Sequence, residues 1–161
     1  MKKILSLCLL LVVTATVKAQ KHHIPFSEFN GDTLRYIAVN FEDNRERYIG
    51  HPVSRLLDEW DLPIRSFYPS ETTFEPKPED RDKIKGMDLG YLDIGEGYFY
   101  EKAKIPYYSL AVVFEPPYTV PARTVYDIED AIGNQWGPEL YEFYKNFIVK
   151  ELYVVLIDKF Y

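Results

Sequence analysis

Apolar residues recur with helical spacing in three segments of the chain. Each segment places them at positions i, i+3, i+4 and i+7, which is the spacing of one helix face. The three stripes are Leu34, Ile37, Ala38 and Phe41; Val53, Leu56, Leu57 and Trp60; and Leu140, Phe143, Tyr144 and Phe147. Asp32 suits the N-cap of the first helix, and Pro52 and Pro138 suit the first turn of the others. The pattern predicts two helices early in the chain and one near its end.

Other segments have the pattern of β-strands. One segment alternates large apolar side chains with smaller or more polar ones. The large set is Tyr108, Leu110, Val112 and Phe114, and the other set, which would face outward, is Ser109, Ala111, Val113 and Glu115. Val149–Ile157 is apolar on both faces, which favours a central strand or one covered on both sides. Residues 62–68 and 87–94 are further candidates, although glycines interrupt the second.

Helices that are separated from a run of strands predict an α+β fold. We expect two N-terminal helices packed on a mostly antiparallel sheet, with one further helix before the last strand. A single domain would cover residues 20–161, with 20–31 as a flexible leader. Residues 69–86 contain three prolines and many charges, which predicts a long surface loop.

The stretch "YIGHPVSRLL" (48–57) interrupts the helical pattern with Gly50 and Pro52. Glycine allows a positive φ at the end of a helix, and proline suits the start of the next helix. The residue before a proline disfavours the helical conformation, so His51 should be extended and solvated at the tip of the turn. We therefore interpret this stretch as a joint between two packed helices, the alternative being a ligand site at His51.

Residues 1–19 have the layout of a cleavable signal peptide. Lys2 and Lys3 precede an apolar run, and small residues lie at the −3 and −1 positions before Gln20. The run is shorter than the ~20 residues of a membrane span, which favours cleavage over a retained anchor. Cys8 lies inside the run, too early for a lipidation site. We expect an exported protein, periplasmic or extracellular, with cleavage before Gln20.

Composition narrows the classes of function. The chain carries 19 Lys and Arg against 25 Asp and Glu, and the signal would remove three of the lysines. Such an acidic balance argues against binding nucleic acid. The single cysteine falls in the signal, so the exported chain would have neither a disulfide nor a thiol nucleophile. No phosphate loop, serine elbow or spaced zinc ligand set is present, and we predict no cofactor.

Aromatic residues are the most distinctive candidates for binding. All 14 Tyr, 10 Phe and 2 Trp follow the signal. Tyrosine has a flat apolar face and a polar tip, which suits a platform for a sugar or a peptide, although it also suits half-exposed strand positions. The candidate platform residues are Tyr98, Tyr100, Tyr107, Tyr118 and Trp136.

Two other chemistries stay open. Acidic residues cluster at 42–43, 58–61, 79–82 and 127–130, and a hydrolase acting on glycan or peptide needs two carboxylates across a cleft. After cleavage the chain would begin Gln20-Lys21-His22-His23, and a free amine with a histidine at position three suits Cu(II) or Ni(II). A disordered polar leader is the alternative for this segment.

Two stretches carry a resemblance. "NFEDNRERYIGHPVSRLLDEWDLPI" (40–64), with its Tyr-x-Gly-x-Pro-x-x-x-Leu-Leu motif, and "FYKNFIVKELYVV" (143–155) resemble segments of small exported bacterial proteins of unknown function. No activity follows from that resemblance. The expected architecture is similar to β-lactamase-inhibitor-like folds and outer-membrane-assembly lipoproteins, which implies protein binding. We therefore predict a non-catalytic binding or interaction module whose partner is another envelope protein or a glycan.

Overall fold

The computed structural model describes residues 22–70, 82–117, 120–133 and 135–158. These residues form an α+β fold with a fully antiparallel four-stranded sheet, which confirms the predicted class. The strands are β1 (Ser66–Ser70), β2 (Gly86–Gly90), β3 (Tyr107–Phe114) and β4 (Val149–Ile157). The helices are α1 (Thr33–Ile37), α2 (Val53–Asp58), α3 (Ile94–Ala103), α4 (Ala122–Ile132) and α5 (Pro138–Tyr144). Short 3-10 turns at Phe26–Phe29 and Arg45–Arg47, and a π-helical turn at Ala38–Glu42, complete the described elements.

The strands follow one another across the sheet in chain order. Leu110 of β3 lies opposite Leu89 of β2 and Val154 of β4, so the apolar side chains of adjacent strands share one face. Leu110, Val112 and Phe114 are buried, while Ala111 and Val113 are partly exposed on the other face. The predicted alternation in β3 is therefore confirmed, and it gives the sheet a core face and an outer face.

The interpretation of β4 as a central or doubly covered strand is wrong. Within the described residues β4 pairs only with β3, so it lies at an edge of the sheet. Its side chains Tyr153, Val155 and Leu156 are 48%, 42% and 43% exposed. An apolar run on both faces of a strand has two explanations, burial or an exposed apolar edge, and periodicity does not separate them.

The two early helical segments pack on the core face as expected. Asp32 caps α1 by accepting a hydrogen bond from the backbone N–H of Arg35 at 3.0 Å. The helix continues directly into the π-helical turn, and the stripe residues Ile37 and Phe41 are fully buried. The second predicted stripe is likewise buried, with Val53, Leu56 and Leu57 in α2 and Trp60 just beyond its end.

Two helices were not predicted. The expected helix before the last strand is α5, but α4 precedes it in the same connection. Residues 87–94 form a strand only as far as Gly90, and Ile94 instead begins α3. Helix α3 lacks an apolar stripe, because its apolar residues Ile94, Tyr98 and Phe99 are all more than half exposed. A stripe is the signal that a helix packs flat on a core, and α3 does not pack in that way.

The stretch around Gly50 is a helix joint that also holds the last strand. Gly50 has a φ of +74° and His51 is exposed, both as predicted, whereas Pro52 is the N-cap of α2 and not part of its first turn. The backbone N–H of Gly50 donates to the carbonyl of Val149 at 2.7 Å, and Val149 donates back to His51 at 2.9 Å. The joint therefore connects the helical layer to the start of β4.

Residues 22–31 fall in the segment that we expected to be a flexible leader. Asn40 is buried, and its side-chain amide forms hydrogen bonds of 2.9 Å with both the N–H and the C=O of Ile24. Phe29 is buried in the main core cluster. Residues 22–31 are therefore packed against the domain. Gln20 and Lys21 lie outside the described residues, as do the predicted signal peptide (1–19) and most of the predicted loop (71–81).

Many of the tyrosines belong to the core. Tyr36, Tyr48 and Tyr144 are the largest fully buried side chains, and their rings pack against neighbouring aromatic residues. The high tyrosine content thus has a structural cause at several positions.

No helix within the described ranges is long and apolar enough to cross a bilayer.

Candidate functional site

A cleft of about 380 Å³ lies on the outer face of the sheet, beside α3. We call it the outer cleft. Its walls come from β1, β2, β3, the end of β4 and the first two turns of α3. The residues that line it are Ser66, Tyr68, Asp88, Leu89, Gly90, Leu92, Asp93, Ile94, Gly97, Tyr98, Glu101, Tyr107, Ser109 and Ile157.

Small side chains create the floor of the outer cleft. Ser66, Gly90 and Ser109 lie opposite one another on three adjacent strands. A Cβ atom at Gly90 would lie only 2.2 Å from the Oγ of Ser66. The observed position of the Ser66 side chain, packed on Gly90, therefore requires glycine at that position. Because this row carries no bulky side chain, a depression remains between the sheet and α3.

Helix α3 is held beside the sheet by polar contacts rather than by an apolar stripe. Asp93 and Glu96 form a reciprocal capping box at its N-terminus. Arg65, just before β1, binds Glu96 at 2.7 Å, and the hydroxyl of Tyr107 donates to Glu101 at 3.1 Å. Burial and the Glu101 carboxylate raise the pKa of Tyr107. These contacts fix one wall of the cleft relative to its floor.

Asp88 is the most unusual residue of the outer cleft. It lies on an inner strand, with Tyr68 and Ala111 as its cross-strand neighbours, while Met87 and Leu89 on either side of it are buried in the core. Among the described residues its carboxylate has no hydrogen-bond or ion-pair partner, and burial raises its pKa. A partly buried carboxylate without a partner costs stability, because it has lost water without gaining another donor.

The predicted platform residues do not all meet. Tyr98 and Tyr107 line the outer cleft, and Tyr100 packs edge-on against Tyr107 with ring centroids 6.1 Å apart. Trp136 instead packs against aromatic rings of the core and lines a neighbouring cavity of about 300 Å³, which shares Asp93 with the outer cleft. Tyr118 lies outside the described residues.

Sequence reasoning missed Asp88, Tyr68 and Glu101 as site residues. Asp88 did carry a local signal, since it is a single charged residue between the apolar side chains of a short strand bounded by glycines. Tyr68 carried none that points to this site. Its place opposite Asp88 depends on the pairing of β1 with β2, across a connection of 15 residues (71–85).

The described residues place no group of three or more His, Cys, Asp or Glu side chains where it would hold a metal ion. The Nε2 atom of His23 lies 3.2 Å from the carboxylate of Asp61, and His22 is exposed. The alternative of a copper or nickel site at Gln20–His23 needs the amine of Gln20, which lies outside the described residues. That alternative stays an untested hypothesis, and no metal site was predicted.

Comparison with known proteins assigns no relative. No protein-family model matches the chain, no curated protein is significantly similar to it, and no solved structure gives a significant match. The function must therefore be argued from the outer cleft itself.

Proposed function

We propose that the protein is an exported, non-catalytic binding module and that the outer cleft is its ligand site. One observation supports this most: a cavity of about 380 Å³ combines tyrosine walls with the carboxylate of Asp88, which has no partner among the described residues. Concave sites of ~300–1,000 Å³ with apolar and aromatic walls and a few polar groups are the usual form of small-ligand sites. We expect the ligand group to be presented by another envelope protein or by a glycan.

Export is supported by the signal-like pattern of residues 1–19. The lining of the cleft agrees with the acidic composition of the chain, because no lysine or arginine is among the lining residues that the structure describes. A site of this charge is unsuited to the phosphates of nucleic acid. The proposal therefore keeps the predicted partner classes and places their binding on the outer face of the sheet.

The alternative, a carboxylate hydrolase, has less support. Glu59, from the acidic segment 58–61, binds Arg47 at 2.7 Å and the hydroxyl of Tyr48 at 2.8 Å. Asp61 accepts a hydrogen bond of 2.7 Å from the backbone of Phe26. Both carboxylates thus connect parts of the fold. Within the cleft, Asp93 caps α3 and Glu101 binds Tyr107, so each already has a structural partner.

Amide NMR spectra of protein expressed from the full chain would test the proposal. The probes are soluble oligosaccharides and short peptides of different charge, added at increasing concentration. Binding in the outer cleft should shift the amide resonances of Gly90, Gly97 and Ser109 in a saturable way, and the probes should remain chemically intact. Conversion of a glycan or peptide probe into products would favour the hydrolase instead.

A variant that fills the outer cleft would show whether the probes bind there. A Cβ atom at Gly97 would meet the side chain of Tyr107 at ordinary contact distances, 3.6 Å from its hydroxyl and 4.0 Å from its Cζ, so Gly97→Leu should fold and fill part of the cleft. Ala103→Leu is the matched control, since Ala103 is exposed on the same helix and does not line the cleft. Binding should be lost in the first variant and kept in the second. If no probe shifts the cleft resonances, or both variants bind equally, the proposed site is wrong.

A further inference from the structure

The described lining of the outer cleft carries acidic side chains and no basic ones. It includes the carboxylates of Asp88, Asp93 and Glu101, and none of the described lining residues is Lys or Arg. Asp93 and Glu101 accept hydrogen bonds from the backbone of Glu96 and from Tyr107 respectively. Asp88 is thus the carboxylate that remains available to a ligand. A cation is the partner that would offset the loss of water around it.

Tyrosine rings surround the same space. Tyr68 and Tyr98 are 50% and 60% exposed, and Tyr107 lines the cleft as well. The faces of aromatic rings attract cations within ~6 Å of the ring centre. Tyr98 already binds a cation of the protein itself, because the Nζ atom of Lys102 lies 4.6 Å from its ring centroid, and Tyr68 and Tyr107 are the rings left for a ligand. The aromatic walls therefore favour a cation, as the carboxylate of Asp88 does.

The rest of the lining is apolar and small. Leu92, Ile94 and Ile157 contribute aliphatic surface, while Ser66 and Ser109 contribute hydroxyls. A bare metal ion such as Ca²⁺ needs six to eight oxygen ligands at short range, and no suitable group of acidic residues is assembled in the described part of the chain. An organic cation with a hydrocarbon body matches both the carboxylate and the apolar walls.

We infer that the outer cleft binds an alkylammonium group, with Asp88 accepting its N–H donors and the tyrosine rings enclosing its charge. This inference rests on the proposed function, because it names the ligand chemistry of the same site. Two sources present this chemistry, a free aliphatic amine and the side chain of a lysine in a partner protein.

Three probes of equal length separate charge from shape: n-pentylammonium, 1-pentanol and pentanoate. Each is titrated into protein expressed from the full chain, at neutral pH and low ionic strength, while the amides of Gly90, Gly97 and Ser109 are followed by NMR. Pentylammonium should bind at least about tenfold more tightly than either of the others, the minimum expected for a charge-assisted hydrogen bond. The blocked peptide acetyl-Gly-Lys-Gly-amide is the fourth probe, and its affinity relative to the amine separates the two sources.

Two variants test the role of Asp88. Asp88→Asn keeps the shape of the side chain and should weaken pentylammonium binding about tenfold or more, with little effect on pentanol. Asp130→Asn removes the same charge from an exposed position on α4, and it should leave the affinity unchanged. An unaltered amide spectrum outside the cleft confirms that each variant is folded.

The outcomes distinguish the inference from the proposed function. If pentanol or pentanoate binds in the cleft as well as pentylammonium does, or if Asp88→Asn binds the amine normally, the cleft is a site but the inferred ligand class is wrong. If none of the probes binds, the inference is overturned, and the oligosaccharide and peptide panel decides separately whether the cleft binds anything.

Discussion

Two buried tyrosines differ in one respect that stability measurements can isolate. Tyr36 and Tyr144 are both fully buried and both lie among aromatic rings. The hydroxyl of Tyr36 donates to the carbonyl of Glu59 at 3.0 Å and accepts from the backbone N–H of Asp61 at 2.8 Å. The hydroxyl of Tyr144 is buried and makes no hydrogen bond within the described part of the chain. Substituting phenylalanine removes the same atom from both.

The two substitutions should change the free energy of unfolding differently. Tyr36→Phe removes two hydrogen bonds and leaves a backbone donor and acceptor without their partner, which should lower the free energy of unfolding by about 1–3 kcal/mol. Tyr144→Phe removes a buried hydroxyl that has lost water without gaining a partner, so stability should be unchanged or should rise by up to about 1 kcal/mol. For a chain of this size each kcal/mol corresponds to about 2–4 °C in Tm.

Urea unfolding followed by far-ultraviolet circular dichroism measures both variants against the wild type. The m-values should match, because neither substitution changes the surface exposed on unfolding. An equal loss of stability in the two variants would refute the reasoning, since it would mean that the hydroxyl of Tyr144 has a bonding partner. A Tyr36→Phe variant as stable as the wild type would show that its two hydrogen bonds make no net contribution.

Three further predictions concern the backbone and the cleft. Gly50→Ala should cost about 1–2 kcal/mol, because Gly50 has a φ of +74°, and an unchanged urea midpoint would contradict this. Gly97→Ala should raise the free energy of unfolding by about 0.5–1 kcal/mol, because alanine favours the helix over glycine. Gly95→Ala should raise it by less, because its Cβ would lie 3.3 Å from the capping Oδ1 of Asp93. Equal urea midpoints for the two variants would contradict this difference. Burial raises the pKa of Asp88 above 3.8, so the native state binds that proton more tightly than the unfolded chain, and wild-type stability falls as the pH rises through this range. Asp88→Asn should therefore be more stable than the wild type at neutral pH and equal to it well below pH 3.8, whereas a gain independent of pH would contradict the assignment.

Local patterns predicted much of the fold. The alternation of β3, the stripes of the early helices and the joint at Gly50 are each encoded within about ten residues, and the structure confirms them. Helix α4 also had a usable signal, because Ala122, Val125 and Ile128 lie on the face that it turns to the core. For α3 the available signal was the capping box, since its apolar residues form no stripe.

The outer cleft depended on long-range pairing that no local pattern contains. Tyr68 belongs to β1, Asp88 to β2 and Tyr107 to β3, and only the register of the sheet places them around one cavity. Tyr98 joins them because the polar contacts of α3 hold that helix beside the sheet. Tyrosine content alone did not separate these residues from the buried tyrosines of the core.

A crystal structure of the protein with n-pentylammonium would show whether the outer cleft binds an amine. We expect electron density for the amine in the outer cleft, with its nitrogen about 3 Å from a carboxylate oxygen of Asp88 and its chain against the tyrosine rings. Density for the amine only at other surfaces, with the outer cleft free of it at a saturating concentration, would mean that the cleft is not an amine site.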